Sequence, residues 1–533
     1  MVEPMTEPPG LRWGDPAKAM TLSPAMRELV SQALGVTPDK VRPPVAPEAI
    51  ELPEPALDAA AREALTAIVG AEHVRGDREA RLAHTRGMST PDLLRLRAGE
   101  AADAPDLVVA PASHDEVVAL LRECAARRIA VVPHGGRTSV VGWLQPAREG
   151  FNGVVALDLR RLDRVLQIDQ VSRTATLEPG LSGPEAEAVL VEHGLTLGHF
   201  PQSFEQATIG GFAAARSSGQ ASAGYGRFDE LVVGVRLATP RGAVELGRAP
   251  RSAAGPDLRQ LVLGSEGAFG VITAVTVAVR AAPEVRRYEG WRLPSFTEGA
   301  AVLRRLAQDG PLPTVLRLSD EAETALNLAR PDEIGAGEGA GGCLAIVGYE
   351  GAADEVEQRR DSVTAILRDA GATFEEGAGE AWAEGRFRAP YLRDALLDAG
   401  VLVETLETAT FWSNLADLYD SVGAALRDSL TGQGTPPVVL CHISHLYPSG
   451  ASLYFTVAAA QADDPVAQWR EAKAAASDAI EAAGGTITHH HGVGVDHKPW
   501  YAREIGPLGV EVLRAVKATL DPDGILNPGV LVP

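Results

Sequence analysis

Apolar and polar positions along the chain fall into two regions of different character. In the first, Asp106–Ala110 reads as a strand. Ser113 with Glu116 then forms a capping box ahead of Val117, Leu120, Leu121 and Cys124 at helical spacing. Ile129–Val132 is the next strand, so the entry is β-α-β. Strands follow at Val154–Leu159 and Thr174–Leu177, with a helix at Pro184–His193. Around Ala282-Pro283 the pattern changes. A second αβ region starts with a strand at Tyr288–Leu293 and carries helices at Phe296–Leu306 and Val356–Ala370. Its last feature is a hairpin: Val438–Tyr447, the turn Pro448-Ser449-Gly450, then Ala451–Ala458. Because strand side chains alternate, Ser452, Tyr454 and Thr456 share one face and Leu453, Phe455 and Val457 the other. Residues 1–100 hold short helices and Pro-rich connections such as Val41-Arg42-Pro43-Pro44-Val45, which suit an arm packed on the body. Gly335–Gly342 is low in complexity and reads as a surface loop.

Composition narrows the classes. At 533 residues the chain is too long for one compact core, so two or more domains are expected. A 45% hydrophobic content is ordinary for a globular protein, and no apolar run reaches the roughly 20 residues that span a bilayer. Met1-Val2-Glu3-Pro4 lacks the pattern of a signal peptide, so a cytoplasmic location is expected. Three cysteines, far apart and odd in number, argue against a disulfide framework or zinc knuckle. A net charge of −22 disfavours nucleic acid as a partner but leaves room for an anionic substrate in a locally basic pocket.

The chemistry starts at Pro133-His134-Gly135-Gly136-Arg137-Thr138-Ser139, directly after a strand. Adjacent glycines admit close backbone approach, and successive N–H groups in such a turn form an anion nest. A dinucleotide fingerprint or Walker A loop would run into a helix. Here Gly142-Trp143-Leu144-Gln145-Pro146 follows, which is poor helix material, so the loop reads as a turn between sheet elements. Further glycine- and hydroxyl-rich segments are Gln202-Ser203-Phe204-Glu205-Gln206-Ala207-Thr208, Ala215-Arg216-Ser217-Ser218 and Glu266-Gly267-Ala268-Phe269-Gly270-Val271-Ile272. Such loops, separated by apolar strands, suit a long diphosphate cofactor.

In order and spacing these segments resemble the FAD-binding flavoprotein superfamily of vanillyl-alcohol oxidase and p-cresol methylhydroxylase. Within it, the resemblance is to the alkyldihydroxyacetonephosphate synthase branch. It runs from Arg12-Trp13-Gly14 to Leu520-Asp521-Pro522-Asp523-Gly524-Ile525-Leu526-Asn527-Pro528-Gly529. The implied fold is α+β: an arm (1–100), a two-subdomain FAD-binding domain (101–283), an αβ cap domain (284–485) and a C-terminal segment (486–533) returning to the FAD-binding domain. By resemblance, the four glycine-rich segments hold FAD. Some relatives carry a histidine after the Gly-Gly pair that bonds covalently to the flavin. Arg137 stands there, so noncovalent FAD is expected, and His134 reads as a loop residue.

Three further sets complete the reading. In Thr486-Ile487-Thr488-His489-His490-His491-Gly492, alternation on an extended segment would put His489 and His491 on one face and His490 on the other. A metal site, to which His442 and His445 could contribute, a proton-handling site and an exposed loop all remain open from the residues alone. The resemblance favours proton handling and substrate positioning, for which imidazole is suited, and no metal. It also assigns Tyr454 to proton abstraction, Arg317 to the flavin's vicinity and Arg393 to substrate phosphate; an ion pair of Arg393 with Asp394 or Glu404 is the plainer alternative. Two departures from the branch stand out: Arg137 where a third glycine is usual, and His442 and His445 in the hairpin. The implied activity exchanges the acyl group of acyl-dihydroxyacetone phosphate for a long-chain alcohol, forming an ether lipid, in a homodimer with contact to a membrane surface. A dehydrogenase or oxidase of a hydroxy acid or alcohol is the alternative, and the extra histidines speak for it.

Overall fold

The computed structural model describes residues 12–326 and 341–533; most of the expected loop at Gly335–Gly342 lies outside them. The first αβ region builds two main sheets, beside a two-stranded pairing of Leu195–Thr196 with Arg280–Ala281. In one, Leu107–Val109, Gly153–Asp158 and Ile129–His134 run parallel, with Val74–Arg75 antiparallel at one edge. The crossover helix is His114–Ala126, which buries Val117, Leu120, Leu121 and Cys124. Ser113 caps it, accepting the Glu116 N–H at 3.2 Å. The expected box closes differently, because Glu116 reaches past Ser113 to the Ala112 N–H at 2.7 Å. The second sheet is five-stranded and antiparallel, in the order Val165–Asp169, Thr174–Leu177, Val271–Ala278, Val232–Thr239, Gly242–Leu246.

The second region forms one seven-stranded antiparallel sheet. Its central strands obey strict alternation, which decides the role of each face. Leu316, Leu318, Cys441, Ile443, Leu453, Phe455 and Val457 enter the core. That core is closed by the helices Phe296–Asp309, Ala353–Asp369, Leu415–Gly432 and Pro465–Ala482. The opposite face, with Arg317, His442, Tyr454 and Thr456, lines a cavity. The hairpin is thus found as expected, its strands being Val438–Tyr447 and Gly450–Ala460.

Both flanking segments tie these bodies together. The arm bonds to the seven-stranded sheet, Thr90 donating its N–H to Glu404 at 2.7 Å. It also bonds to the first loop, where the Met88 N–H reaches the Ser139 carbonyl at 2.7 Å. At the other end Leu526 pairs in parallel with Val131, next to the glycine loop. This return is held by Asp521, 1% exposed. Its carboxylate accepts the N–H groups of Ile525 and Leu526 at 3.1 and 2.8 Å and the Lys517 ammonium at 2.7 Å. Removing a buried acceptor strands its donors, at about 1–3 kcal/mol each. Asp521→Ala should therefore cost about 3 kcal/mol or more in denaturant unfolding, whereas Asp523→Ala, exposed two residues on, should stay within about 0.5 kcal/mol.

Candidate active site

The cavity measures about 1630 Å³ and lies where the glycine loops, the inner face of the seven-stranded sheet and the arm meet. Its floor is the Pro133–Ser139 turn, packed hard against residues 206–208. A Cβ on Gly136 would strike the Gln206 carbonyl, and one on Gly135 the Thr208 hydroxyl. Arg137 sits at φ +57°, the left-handed region that costs an ordinary side chain about 1–2 kcal/mol. That explains why a third glycine suits this position and what the substitution demands of the backbone.

Most predicted cofactor residues lie on this wall: all seven of Pro133–Ser139, then Gln202, Ser203, Ala207, Thr208, Ala215, Ser217, Ser218, Glu266, Gly267, Gly270, Val271 and Ile272. Six stand behind it. Phe204 stacks on Phe387, Glu205 pairs with Lys18 at 2.7 Å, and the Gln206 backbone backs Gly136. Arg216 donates to the carbonyls of Leu263 and Gln260, while Ala268 and Phe269 fill a core beneath the loop. The wall is chemically ready for a polar ligand. His134 Nδ1, Gln202 Nε2, Ser218 Oγ and Asn527 Oδ1 are buried without a partner in the protein, a costly state unless a ligand meets them. His134 ends the strand Ile129–His134 and lies on this wall, 2% exposed.

The histidine run departs from its expected alternation because one carboxylate curls it. Glu407, on the strand Val401–Phe411, accepts the N–H groups of His489, His490 and His491 at 2.9, 2.6 and 2.8 Å through one oxygen. The Thr488 hydroxyl joins them at 2.8 Å. Burial works against this anion, but His490, His491 and His489 hold its pKa well below the ordinary carboxylate range. As a result His490 and His491 both reach the cavity. His489 turns behind them, its Nε2 2.6 Å from the Tyr447 hydroxyl and its Nδ1 3.0 Å from His490 Nδ1. Glu266 anchors the far end of the run, accepting the Val493 and Gly494 N–H groups at 2.5 and 2.8 Å. Burial pushes its carboxyl up to about 8.

Tyr454 stands at the centre. His442, its cross-strand partner, stacks on its ring at 4.9 Å and 18°, and His491 meets it edge-on at 5.6 Å. Burial pushes its phenol up to about 12. Burial likewise holds the His491 imidazole down to about 3. Arg317 points into the cavity as alternation predicts and bonds Glu323 at 2.5 Å. Arg393 lines the same cavity but is already engaged by the Met88 carbonyl at 2.6 Å and by Asp394 at 3.3 Å. The ion pair with Asp394 is therefore present.

Two sets of donors, His445 with His489 and His490, and Glu407 with His490 and His491, lie within 4.8 Å of one another. Glu407 Oε1 already accepts three peptide N–H groups and the Thr488 hydroxyl, and Oε2 accepts the His489 N–H. Both His489 ring nitrogens are bonded, whereas His445 Nδ1 is buried without a partner among the described residues. Most of these atoms are thus already members of a hydrogen-bonded network.

Glu407 and Glu323 escaped the sequence reading. Glu407 had a signal, an acid set in the strand-like run Val401-Leu402-Val403-Glu404-Thr405-Leu406-Glu407. Glu323, in Asp320-Glu321-Ala322-Glu323, reads as a solvated helix face and had none.

Residues 105–247 match the family described as "FAD binding domain", and residues 282–531 that described as "FAD linked oxidases, C-terminal domain". The alkyldihydroxyacetonephosphate synthase of Dictyostelium discoideum is 36% identical over 483 residues, covering 87% of this chain and 79% of that one. A solved alkyldihydroxyacetonephosphate synthase superposes with a TM-score of 0.81 at 31% identity, over 97% of this chain and 98% of the other. A p-cresol methylhydroxylase structure shares the fold, with a TM-score of 0.66 at 15% identity, over 88% of this chain and 96% of that one. The expected architecture, an FAD-binding domain joined to a second αβ domain, is therefore the observed one, in a fold shared with p-cresol methylhydroxylase. The chain belongs to the alkyldihydroxyacetonephosphate synthase family of FAD-dependent enzymes.

Proposed function

We propose that this protein exchanges the acyl group of acyl-dihydroxyacetone phosphate for a long-chain alcohol and so forms an ether lipid. One observation carries the reading. A single cavity joins the FAD cradle, the Tyr454–histidine cluster and an apolar wall from the arm helix Pro24–Leu34, where Met26, Leu29, Val30 and Leu34 line it. A hydroxy acid needs no such apolar wall; an acyl chain does.

When bound, FAD supplies an electron-accepting ring system that ends the cycle in its starting oxidation state. The Pro133–Ser139 loop would cradle its diphosphate, with His134, Gln202, Ser218 and Asn527 offering polar contacts. Arg137 cannot form the covalent histidine link, so FAD is held noncovalently. Tyr454 would take the C1 proton. A phenol near 12 needs a base beside it to act near neutrality, and the ring of His490 stacks over it at 6.3 Å. Arg393 would bind the substrate phosphate, its fork suiting two oxygens, which requires it to loosen its hold on Asp394. Uptake from a membrane surface fits the arm helix, whose Leu29 is 43% exposed; among the described residues no helix is long and apolar enough to cross a membrane. A cytoplasmic homodimer is carried over from the resemblance and the composition. The second reading, a dehydrogenase or oxidase, draws on His442 as a base at the same wall.

The deciding measurement is the visible spectrum during anaerobic turnover with acyl-dihydroxyacetone phosphate and a fatty alcohol. Ether product with the flavin band restored at the end is expected. Lasting bleaching by a hydroxy acid, with no ether formed, would instead establish the redox reading. Tyr454→Phe should lower ether formation by roughly 100-fold or more while FAD binding, followed by fluorescence, is retained. Glu407→Gln turns an amide NH₂ towards N–H donors. It should lower unfolding stability by about 2–3 kcal/mol and activity with it.

A further inference from the structure

Acyl-for-alkyl exchange moves two protons, one from C1 and one from the incoming hydroxyl, and Tyr454 accounts only for the first. We propose that His442, positioned by Glu323, is the base that takes the alcohol proton; this rests on the synthase reading above.

The argument begins with alternation on the strand Val438–Tyr447. Cys441 and Ile443 enter the core, so His442 faces the cavity. Its Nδ1 lies 3.0 Å from Glu323 Oε2. Glu323 is itself fixed, its N–H donating to Asp320 at 2.7 Å and its other oxygen accepting Arg317 at 2.5 Å. Burial opposes the anion, but His442 and Arg317 hold the Glu323 carboxyl down to about 2. An ionised carboxylate only accepts, so it asks the ring nitrogen facing it to carry the hydrogen. Arg317 Nη2, a donor with two hydrogens, also lies 3.0 Å from that nitrogen, so Glu323 and Arg317 ask opposite roles of Nδ1. The proposed tautomer is Nδ1–H, the one an ionised carboxylate favours, as in a catalytic triad. Among the described residues the hydrogen bonds of this ring run through Nδ1, and the assigned tautomer leaves the Nε2 lone pair to the cavity.

The charged and titratable groups around the ring come from four elements. They are Arg317 on Val315–Ser319, Glu323 on Glu321–Leu326, Tyr454 on Gly450–Ala460, and His490 on the run. Burial and Arg317 together outweigh Glu323 and keep the resting imidazole neutral, the state a base requires. The stacked rings of His442 and Tyr454 address the same stretch of cavity, so each of two bases can serve one proton.

The step balances without change of oxidation state. The bond from C1 to the acyl oxygen breaks, its electron pair leaving on the carboxylate. The alcohol oxygen bonds to C1 as its proton passes to His442 Nε2, and thence to solvent. The proton held by Tyr454 returns to C1.

The test uses the FAD-loaded enzyme with hexadecanol and its more acidic 2,2-difluoro analogue. His442→Asn keeps a donor towards Glu323 and deletes the base. It should lower ether formation roughly 100-fold with hexadecanol but only about tenfold with the fluorinated alcohol, which has less need of a base. Exchange of C1 hydrogen in D₂O, measured with acyl substrate alone, should persist and show the site assembled. Equal losses with both alcohols, or C1 exchange falling in step, would overturn the proposal. Should His442→Asn not fold, Glu323→Gln withdraws the orienting anion, and the same selective loss is expected in smaller measure. A wild-type enzyme that exchanges no C1 hydrogen and makes no ether from either alcohol would instead refute the synthase reading, and the proposal with it.

Discussion

A buried carboxylate must be neutralised or hydrogen-bonded to saturation, and the way Glu407 meets that demand shapes the rest of the site. It does so with peptide N–H groups and a hydroxyl as well as with the histidine rings around it. Three successive amides and a hydroxyl converge on it, which forces the segment after Thr488 into a curl. The curl sends two histidines towards the cavity and one behind. It also brings Val493 and Gly494 to Glu266, so the histidine run and the loop it faces are fastened by two acids, one at each end. Neither acid faces the reacting groups as a free base. Their work is geometric, and Tyr454 meets its imidazoles because the backbone that carries them is pinned.

The large antiparallel sheet supplies the opposite half of the site by a simpler rule. Alternation sends one set of side chains into a helix-covered core and the other into the cavity, so Arg317, His442 and Tyr454 share a wall although they come from three strands. The rigidity of that wall comes from the apolar set behind it. The hydrogen bonds among the polar residues then fix tautomers and charge, a division of labour suited to a site that must hold one arrangement.

How far the sequence could be read follows from the range of the forces involved. Local rules placed the β-α-β entry, the hairpin and its two faces, because period-two and period-3.6 patterns are set by neighbours in the chain. The glycine loops were legible for the same reason. Residues 204–206, 216 and 268–269 were read as cofactor contacts because a motif marks a segment, not the direction of each side chain. The histidine run failed for a different reason: its conformation depends on Glu407, 82 positions away, and an extended segment was the only assumption available locally. Glu323 left no trace, since an acid on a short polar helix looks the same whether it meets water or His442. Arg137 shows the converse. The departure was visible, but its cost, a left-handed backbone, belongs to the fold.

The return of the chain to the first sheet has a consequence for biosynthesis. Asn527 donates to the Glu266 carbonyl, a partner 261 positions earlier, and the Val131–Leu526 pairing completes the sheet beside the glycine loop. During translation the glycine loop is therefore made long before the residues that finish its wall. The nascent chain must carry an open cradle, its unpaired polar atoms facing water, until the seven-stranded sheet has been synthesised and the return segment has emerged. The first wall of the cavity is in this way finished by closure of the whole chain rather than by folding of the domain that bears the motif.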